Sequence, residues 1–253
     1  LLPLPPMIEI IKKTFVVLWK IWFFLVFLVS GLFLFLFFKW YLSHGKNKES
    51  LSLLRIWSYF VQYTTGIILI KKGKENFPKP PYIIVSNHSS YLDIILMFTV
   101  IPNYFAFLGK AELENWPIVK IFFKSGMQIA VPRNNRKGSH DAFIKSKHAL
   151  ENGTSLVIFP EATIPTFVPR MKSFKNGAFR LAIETGFPIV PLSFPSNYKR
   201  MMSGGFLKAQ ASPGLAPVII HTAIETKGMT EEDIVPLRQK IFEIIEKELD
   251  NGN

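Results

Sequence analysis

Residues 82–93 read Tyr82-Ile83-Ile84-Val85-Ser86-Asn87-His88-Ser89-Ser90-Tyr91-Leu92-Asp93. The first four residues are an apolar run that, with Ser86, has strand length. A polar, turn-forming stretch follows. Asp93 then opens a second apolar run, as a carboxylate does at a helix start. This order predicts a strand, a loop and a helix. The polar loop falls at the C-terminal end of the strand, where open α/β sheets place their sites.

Short apolar runs of the same kind recur at residues 67–70, 128–131, 155–159, 189–194 and 218–221. Helical patterns lie between them. Ser139 is positioned to cap a helix that runs to Glu151 and stops at Gly153. A second helix is expected from Phe174 to Thr185, stopping at Gly186. A third closes the chain over residues 236–249, with Leu237, Ile241, Ile244 or Ile245, and Leu249 turned inward. Strands apolar throughout, alternating with helices, predict an α/β fold with a mainly parallel central sheet flanked by helices.

The N-terminal part is different. Residues 21–38 (IWFFLVFLVSGLFLFLFF) carry no charge. As a helix they reach about 27 Å, close to the thickness of a hydrocarbon core. Trp19, Trp22, Trp40 and Tyr41 sit near the ends, as interfacial anchors do. Lysines flank both sides, so charge sets no orientation. Ser30 and Gly31 lie in mid-stretch with bulky Phe beyond, which argues against a cleaved signal peptide. Two geometries fit: a single span, or a helix pair broken at Ser30-Gly31 that dips into one leaflet. The expected organisation is an N-terminal tail (1–12), a membrane-embedded helical anchor (13–42), an amphipathic interfacial helix (51–65) and one domain over 66–253. In residues 51–65, Leu54, Trp57, Val61 and Thr65 form one face, with Leu53 and Phe60 beside it.

The 253 residues carry 30 Lys+Arg against 18 Asp+Glu, a net charge of +12, and no Cys. Such a surface favours anionic partners. The absence of Cys excludes a disulfide scaffold, Cys-ligated zinc and thiol catalysis. No metal site is read from the sequence. The basic residues show no aromatic-interleaved pattern, so no nucleic-acid partner is expected. The anchor favours a lipid bilayer.

His88 and Asp93 are the strongest chemical candidates. Along a continuous helix, five residues turn through about 500°, roughly 140° off register. The side chains meet only if His88 stays in the loop and Asp93 enters the helix. A His held by a carboxylate is a general-base unit. Read by composition alone, the segment is also an ordinary Asn/Ser/Asp turn with an incidental His. Phe159-Pro160-Glu161-Ala162-Thr163 follows another strand, so Glu161 would face the same sheet edge. Gly126–Arg133 is a third strand ending in a cation, with Arg133 able to grip a phosphate. Lys110, in Gly109-Lys110-Ala111-Glu112, is a weaker candidate.

These blocks, in this order, resemble the glycerolipid acyltransferase family that includes the lysophosphatidic acid acyltransferases. Asn87–Asp93 matches its NHxxxxD block. Gly126–Arg133 loosely matches its G-x-x-x-I-x-R block, and Phe159–Thr163 matches part of F-P-E-G-T-R. Phe187-Pro188-Ile189-Val190-Pro191 matches its closing apolar strand. The resemblance implies a membrane-bound O-acyltransferase that needs no cofactor. It would use acyl-CoA or an acyl carrier protein thioester as co-substrate and a lysophospholipid as acceptor, most simply 1-acylglycerol-3-phosphate. His88 would be the base and Asp93 its orienting partner. Lys110, Arg133, Glu161 and Thr163 would serve acceptor binding. If the source is bacterial, the enzyme is expected on the cytoplasmic face of the cell membrane.

Two departures stand out: Ala162 replaces the family's Gly, and Ile164 stands where its Arg is expected. Arg170, Lys172 or Lys175 could return the lost charge. Two alternatives follow. One is the same chemistry on a non-phosphate acceptor such as a lyso-aminolipid. The other is a catalytically silent membrane lipid-binding protein.

Overall fold

The computed structural model describes residues 6–132 and 135–250. In chain order its elements are α1 (Pro6–Ser43), α2 (Asn47–Thr65), β1 (Ile67–Lys72), β2 (Ile83–Ser86), α3 (Leu92–Val100), β3 (Phe105–Lys110), α4 (Lys120–Lys124), β4 (Gln128–Val131), α5 (Arg136–Glu151), β5 (Ser155–Ile158), α6 (Gly177–Thr185), β6 (Ile189–Ser193), α7 (Asn197–Arg200), β7 (Gly214–Ile220) and α8 (Ile234–Asp250). The seven strands form one sheet in the order β1-β7-β6-β2-β5-β3-β4. Every neighbouring pair is parallel except β6 and β7. The sheet is mainly parallel, as the sequence predicts. The C-terminal ends of β6, β2, β5, β3 and β4 therefore lie side by side along one edge.

β2 shows why its sequence has no polar alternation. Ile84 packs toward α1, α2 and α3 with Leu96, Phe105 and Val190. Ile83 and Val85 pack on the other face with Phe179 of α6 and Ile241 and Ile245 of α8. A strand covered on both faces is apolar at every position. α8 turns Leu237, Ile241, Ile245 and Leu249 inward, so Ile245 rather than Ile244 faces the core.

Several details differ from the sequence reading, β7 among them, which runs Gly214–Ile220 rather than 218–221. β3 was not among the predicted strands; it inserts between β5 and β4. α5 begins at Arg136, and its cap is Asn135, whose side chain accepts the Gly138 N–H. Ser139 lies inside the helix and donates to the Pro132 carbonyl at 2.7 Å. α6 starts at Gly177, three residues beyond Phe174, and ends as expected at left-handed Gly186.

α1 is a single unbroken helix, and one long and apolar enough to cross a membrane. Ser30-Gly31 does not break it. Gly31 admits the Trp57 ring of α2, which lies 3.5 Å from where a Cβ would stand. Trp57 Nε1 donates to Ser30 Oγ at 2.8 Å. Trp19, Phe23, Val26, Phe38 and Leu42 are buried, while Leu18, Leu25, Val29, Leu32 and Leu36 are exposed. α1 thus packs along the protein through one stripe and presents another outward. α2 runs longer than residues 51–65 and packs on α1, α3 and β1 through Leu51, Leu54, Trp57, Val61 and Thr65. Phe60, expected beside that face, is exposed, together with Ile56 and Tyr63.

Candidate active site

The site is built where β2 ends. Asn87 exchanges two hydrogen bonds with Phe194 at the end of β6: its Nδ2 donates to the Phe194 carbonyl at 3.0 Å, and its Oδ1 accepts the Phe194 N–H at 2.8 Å. The side chain continues the sheet pairing past the last strand residue and fixes where the turn begins. The chain then bends through His88, Ser89 and Ser90 into α3. Asp93, in the first turn of α3, reaches back over the bend.

Asp93 Oδ2 accepts from Ser89 N at 2.8 Å, Ser90 N at 2.9 Å and His88 Nδ1 at 3.0 Å. Its Oδ1 accepts from Asn197 Nδ2 of α7 at 2.7 Å. The carboxylate is fully buried, and hydrogen bonding to the charged form is what stabilises a buried anion. A carboxylate only accepts, so Nδ1 of His88 must carry the proton, and the Nε2 lone pair is left free. Among the described residues Nε2 makes no hydrogen bond. The imidazole stacks on Phe159 with 4.2 Å between centroids and 20° between planes. Its tautomer and tilt are thereby set by two contacts, Asp93 on Nδ1 and Phe159 on the ring face. Such a group can take a proton at Nε2 and return it.

β5 pairs with β2, so the loop after β5 lies beside the His88 turn. Glu161 points inward there. Its Oε1 accepts the His88 N–H and its Oε2 the Lys172 N–H, each at 2.8 Å. Burial pushes its carboxyl up to about 7, although both backbone donors and His88 pull the other way. Glu161 thus ties the His88 turn to the far end of its own loop. Ala162 occupies the left-handed region at φ 61°, a conformation natural to glycine. Thr163 is exposed, and its Oγ1 accepts from Lys172 Nζ at 2.8 Å. The Lys175 N–H closes the loop onto the Pro160 carbonyl at 3.0 Å.

The structure thus brings His88, Asp93 and Glu161 into one hydrogen-bonded group and joins Thr163 to Lys172. Arg170 and Lys175 project outward from the same loop as exposed side chains. Lys110 ends β3 at the same sheet edge, exposed and paired with Glu112 at 3.3 Å. Arg133 lies outside the described residues, just past β4. Two contributions are not read from the sequence: that of Phe159, which stands there only as part of a block and whose ring supports the imidazole, and that of Asn197, 104 residues from Asp93.

Residues 69–195 match the protein-family model described as acyltransferase. The mouse 1-acyl-sn-glycerol-3-phosphate acyltransferase alpha is 30% identical over 210 residues, covering 78% of this chain and 69% of the mouse protein. The 1-acyl-sn-glycerol-3-phosphate acyltransferase of Saccharomyces cerevisiae is 29% identical over 189 residues, covering 74% and 61% of the two chains. The crystal structure of the 1-acyl-sn-glycerophosphate acyltransferase PlsC from Thermotoga maritima superposes with a TM-score of 0.79 at 24% identity, over 95% of this chain and 97% of that one. The last likeness is one of fold. The family match and the mouse relative, on a fold that sets the His88–Asp93 and Glu161 blocks side by side at one sheet edge, show that this chain is an acyltransferase and belongs to the glycerolipid family of the 1-acyl-sn-glycerol-3-phosphate acyltransferases.

Proposed function

We propose that this acyltransferase moves an acyl chain from a thioester, carried by coenzyme A or acyl carrier protein, to the free hydroxyl of 1-acylglycerol-3-phosphate. The observation that carries the reading is His88, whose Nδ1 is held by a fully bonded Asp93 and whose Nε2 is unpartnered among the described residues. Nε2 takes the proton of the acceptor hydroxyl as its oxygen attacks the thioester carbonyl carbon. Asp93 stabilises the imidazolium that forms. The tetrahedral intermediate collapses, the C–S bond breaks, and the departing thiolate takes the proton from Nε2. The products are a diacyl phosphate lipid and a free thiol. No residue is acylated, which suits a chain without Cys.

In this scheme Glu161 and Asn87 hold the turn that carries His88. Thr163, Lys110 and Arg133 serve the acceptor. Lys172, held beside Thr163, returns the cation that Ile164 lacks, with Arg170 and Lys175 adding positive potential along the loop. The outward stripe of α1 and the exposed apolar residues of α2 support attachment along a bilayer surface. A helix packed on its own protein over most of its length fits an anchor wet by lipid on one side better than a free span.

Ile164 favours a second reading, the same transfer onto a lyso-lipid without a phosphomonoester. One assay separates the two. Detergent-purified protein is given acyl-CoA or acyl carrier protein donors, with lysophosphatidic acid or lyso-lipids lacking the phosphomonoester, and thiol release and product are followed. Turnover with lysophosphatidic acid is expected. Turnover only with the other acceptors moves the substrate and keeps the chemistry. No turnover with any of them removes the proposal.

A further inference from the structure

The buried carboxylate of Asp93 has four donors, and three come from its own loop. The fourth, Asn197 Nδ2, comes from the segment after β6. A carboxylate can only accept, so this contact fixes which end of the Asn197 amide faces it. The other end, Oδ1, is buried with no partner among the described residues. Leaving an amide oxygen unpaired in the interior is unfavourable, and an apolar side chain would avoid it. The fold keeps the amide nonetheless.

The segment that carries Asn197 is fastened on both sides of α7. Before it, the Phe194 backbone is bonded to Asn87. After it, Ser90 Oγ donates to the Met201 carbonyl at 2.6 Å. Further along, Lys20 of α1 donates to the carbonyls of Phe206, at 2.6 Å, and of Ala209. Asn197 cannot follow Asp93 if the carboxylate turns. It is a fixed stop.

We propose that Asn197 is a positioning residue for the acid–base pair. By engaging Oδ1 it prevents rotation of the Asp93 carboxylate, keeps Oδ2 on His88 Nδ1, and so aims Nε2 at the acceptor hydroxyl. The inference rests on the reading of His88 and Asp93 given above. Without Asn197, Oδ1 faces no donor in the described structure, and both oxygens compete for the three donors of the loop.

The test is the pH dependence of kcat in two variants. Asn197→Leu removes the donor at every pH, and kcat is expected to fall by about 10- to 100-fold, the range of a hydrogen bond to a charged group, with KM little changed. Asn197→Asp sets two carboxyls against each other. Such a pair holds a shared proton to unusually high pH, and both members ionise only at a cost. While the proton is shared, the new hydroxyl donates to Asp93 as the amide did; once it is lost, the contact repels. The ratio of kcat in Asn197→Asp to that of the unaltered enzyme is therefore expected to fall as pH rises from about 6 to about 8. Melts at the same pH values show that the variant stays folded, so that a falling ratio reports the site; an asparagine without influence on the acid–base pair would give a ratio independent of pH. That flat ratio overturns the inference, as does near-normal kcat in a folded Asn197→Leu. If Asn197→Leu does not fold, Asn197→Asp decides. His88→Ala serves as the control. Retained turnover there removes the acid–base reading itself, whereas an inactive His88→Ala with a flat Asn197→Asp ratio removes only the role of Asn197.

Discussion

Asp93→Asn isolates charge from shape. Four hydrogen bonds end on this carboxylate. In the variant the amide oxygen can take the Oδ2 position and keep all three loop donors. The amide nitrogen then faces Asn197, whose Oδ1 has no partner among the described residues. Rotation of the Asn197 amide turns that oxygen toward the new donor and completes the pair. The fold and the His88 tautomer should survive. What is lost is the negative charge beside an imidazole that, in the proposed mechanism, becomes positive during the reaction. With 3.0 Å between the bonded atoms and the charge centres roughly 4 Å apart, an effective dielectric of about 20 gives roughly 4 kcal/mol. That is about a thousandfold in kcat. The measurement is steady-state kinetics on the purified variant beside a thermal melt. We expect kcat to fall on the order of a thousandfold, with KM and melting midpoint little changed. A folded variant that keeps kcat within about tenfold, short of the rate that this charge should supply, would refute the reasoning. Asp93 would then be a scaffold for the turn rather than a partner in the chemistry.

Three further expectations follow from single residues. Ala162→Gly relieves a left-handed L-residue, worth about 1–2 kcal/mol, against a glycine entropy penalty of about 0.5–1 kcal/mol; the melting midpoint should rise by about 6 °C at most, and a fall would mean that the Ala162 methyl packs usefully. Burial raises the Glu161 carboxyl from 4.5 to about 7, so the folded state holds a proton that the unfolded chain releases first. The stabilisation this group gives is full below pH 4.5 and is lost as pH rises to about 7. Glu161→Gln should flatten that slope in melts taken across the window, and an unchanged slope would remove Glu161 as its source. Lys172→Met should raise KM for lysophosphatidic acid by about tenfold or more, as expected for losing a hydrogen bond to a charged group, while a lyso-lipid without the phosphomonoester is unaffected. Equal effects on both acceptors would argue against a phosphate contact.

The strand–loop–helix unit at residues 82–93 was legible because periodicity, turn residues and the position of Asp93 agreed. The strands of the buried sheet were legible for the same reason, except β3. There the run Phe105–Lys110 follows the apolar α3 across Pro102, and a short apolar stretch does not separate strand from helix by pattern. The start of α5 slipped because Asn135 and Ser139 are both good caps, and only the backbone chooses between them. At the site, His88 and Asp93 could be paired from spacing and loop chemistry. The inward aim of Glu161 could not, since a Glu after a strand reads equally well as an exposed ligand. Asn197 was beyond reach because its contact joins residues 104 apart, through a sheet order that local pattern does not encode. The unbroken α1 was obscured by Ser30-Gly31. Small residues there suggest a break, but they serve to let Trp57 approach.

The four donors on Asp93 have a consequence for how the surroundings answer when charge moves. In water, making an ion pair requires solvent molecules to swing round, and that reorientation is a large part of the barrier. In the proposed transfer the group that answers the new imidazolium is the Asp93 carboxylate, and two peptide N–H groups of the turn and the side-chain amide on α7 hold that carboxylate in place before any substrate arrives. The medium around the proton transfer behaves like a solvent frozen in its product arrangement. Loosening any of these groups, even with every charge retained, should act on the rate as admitting water would.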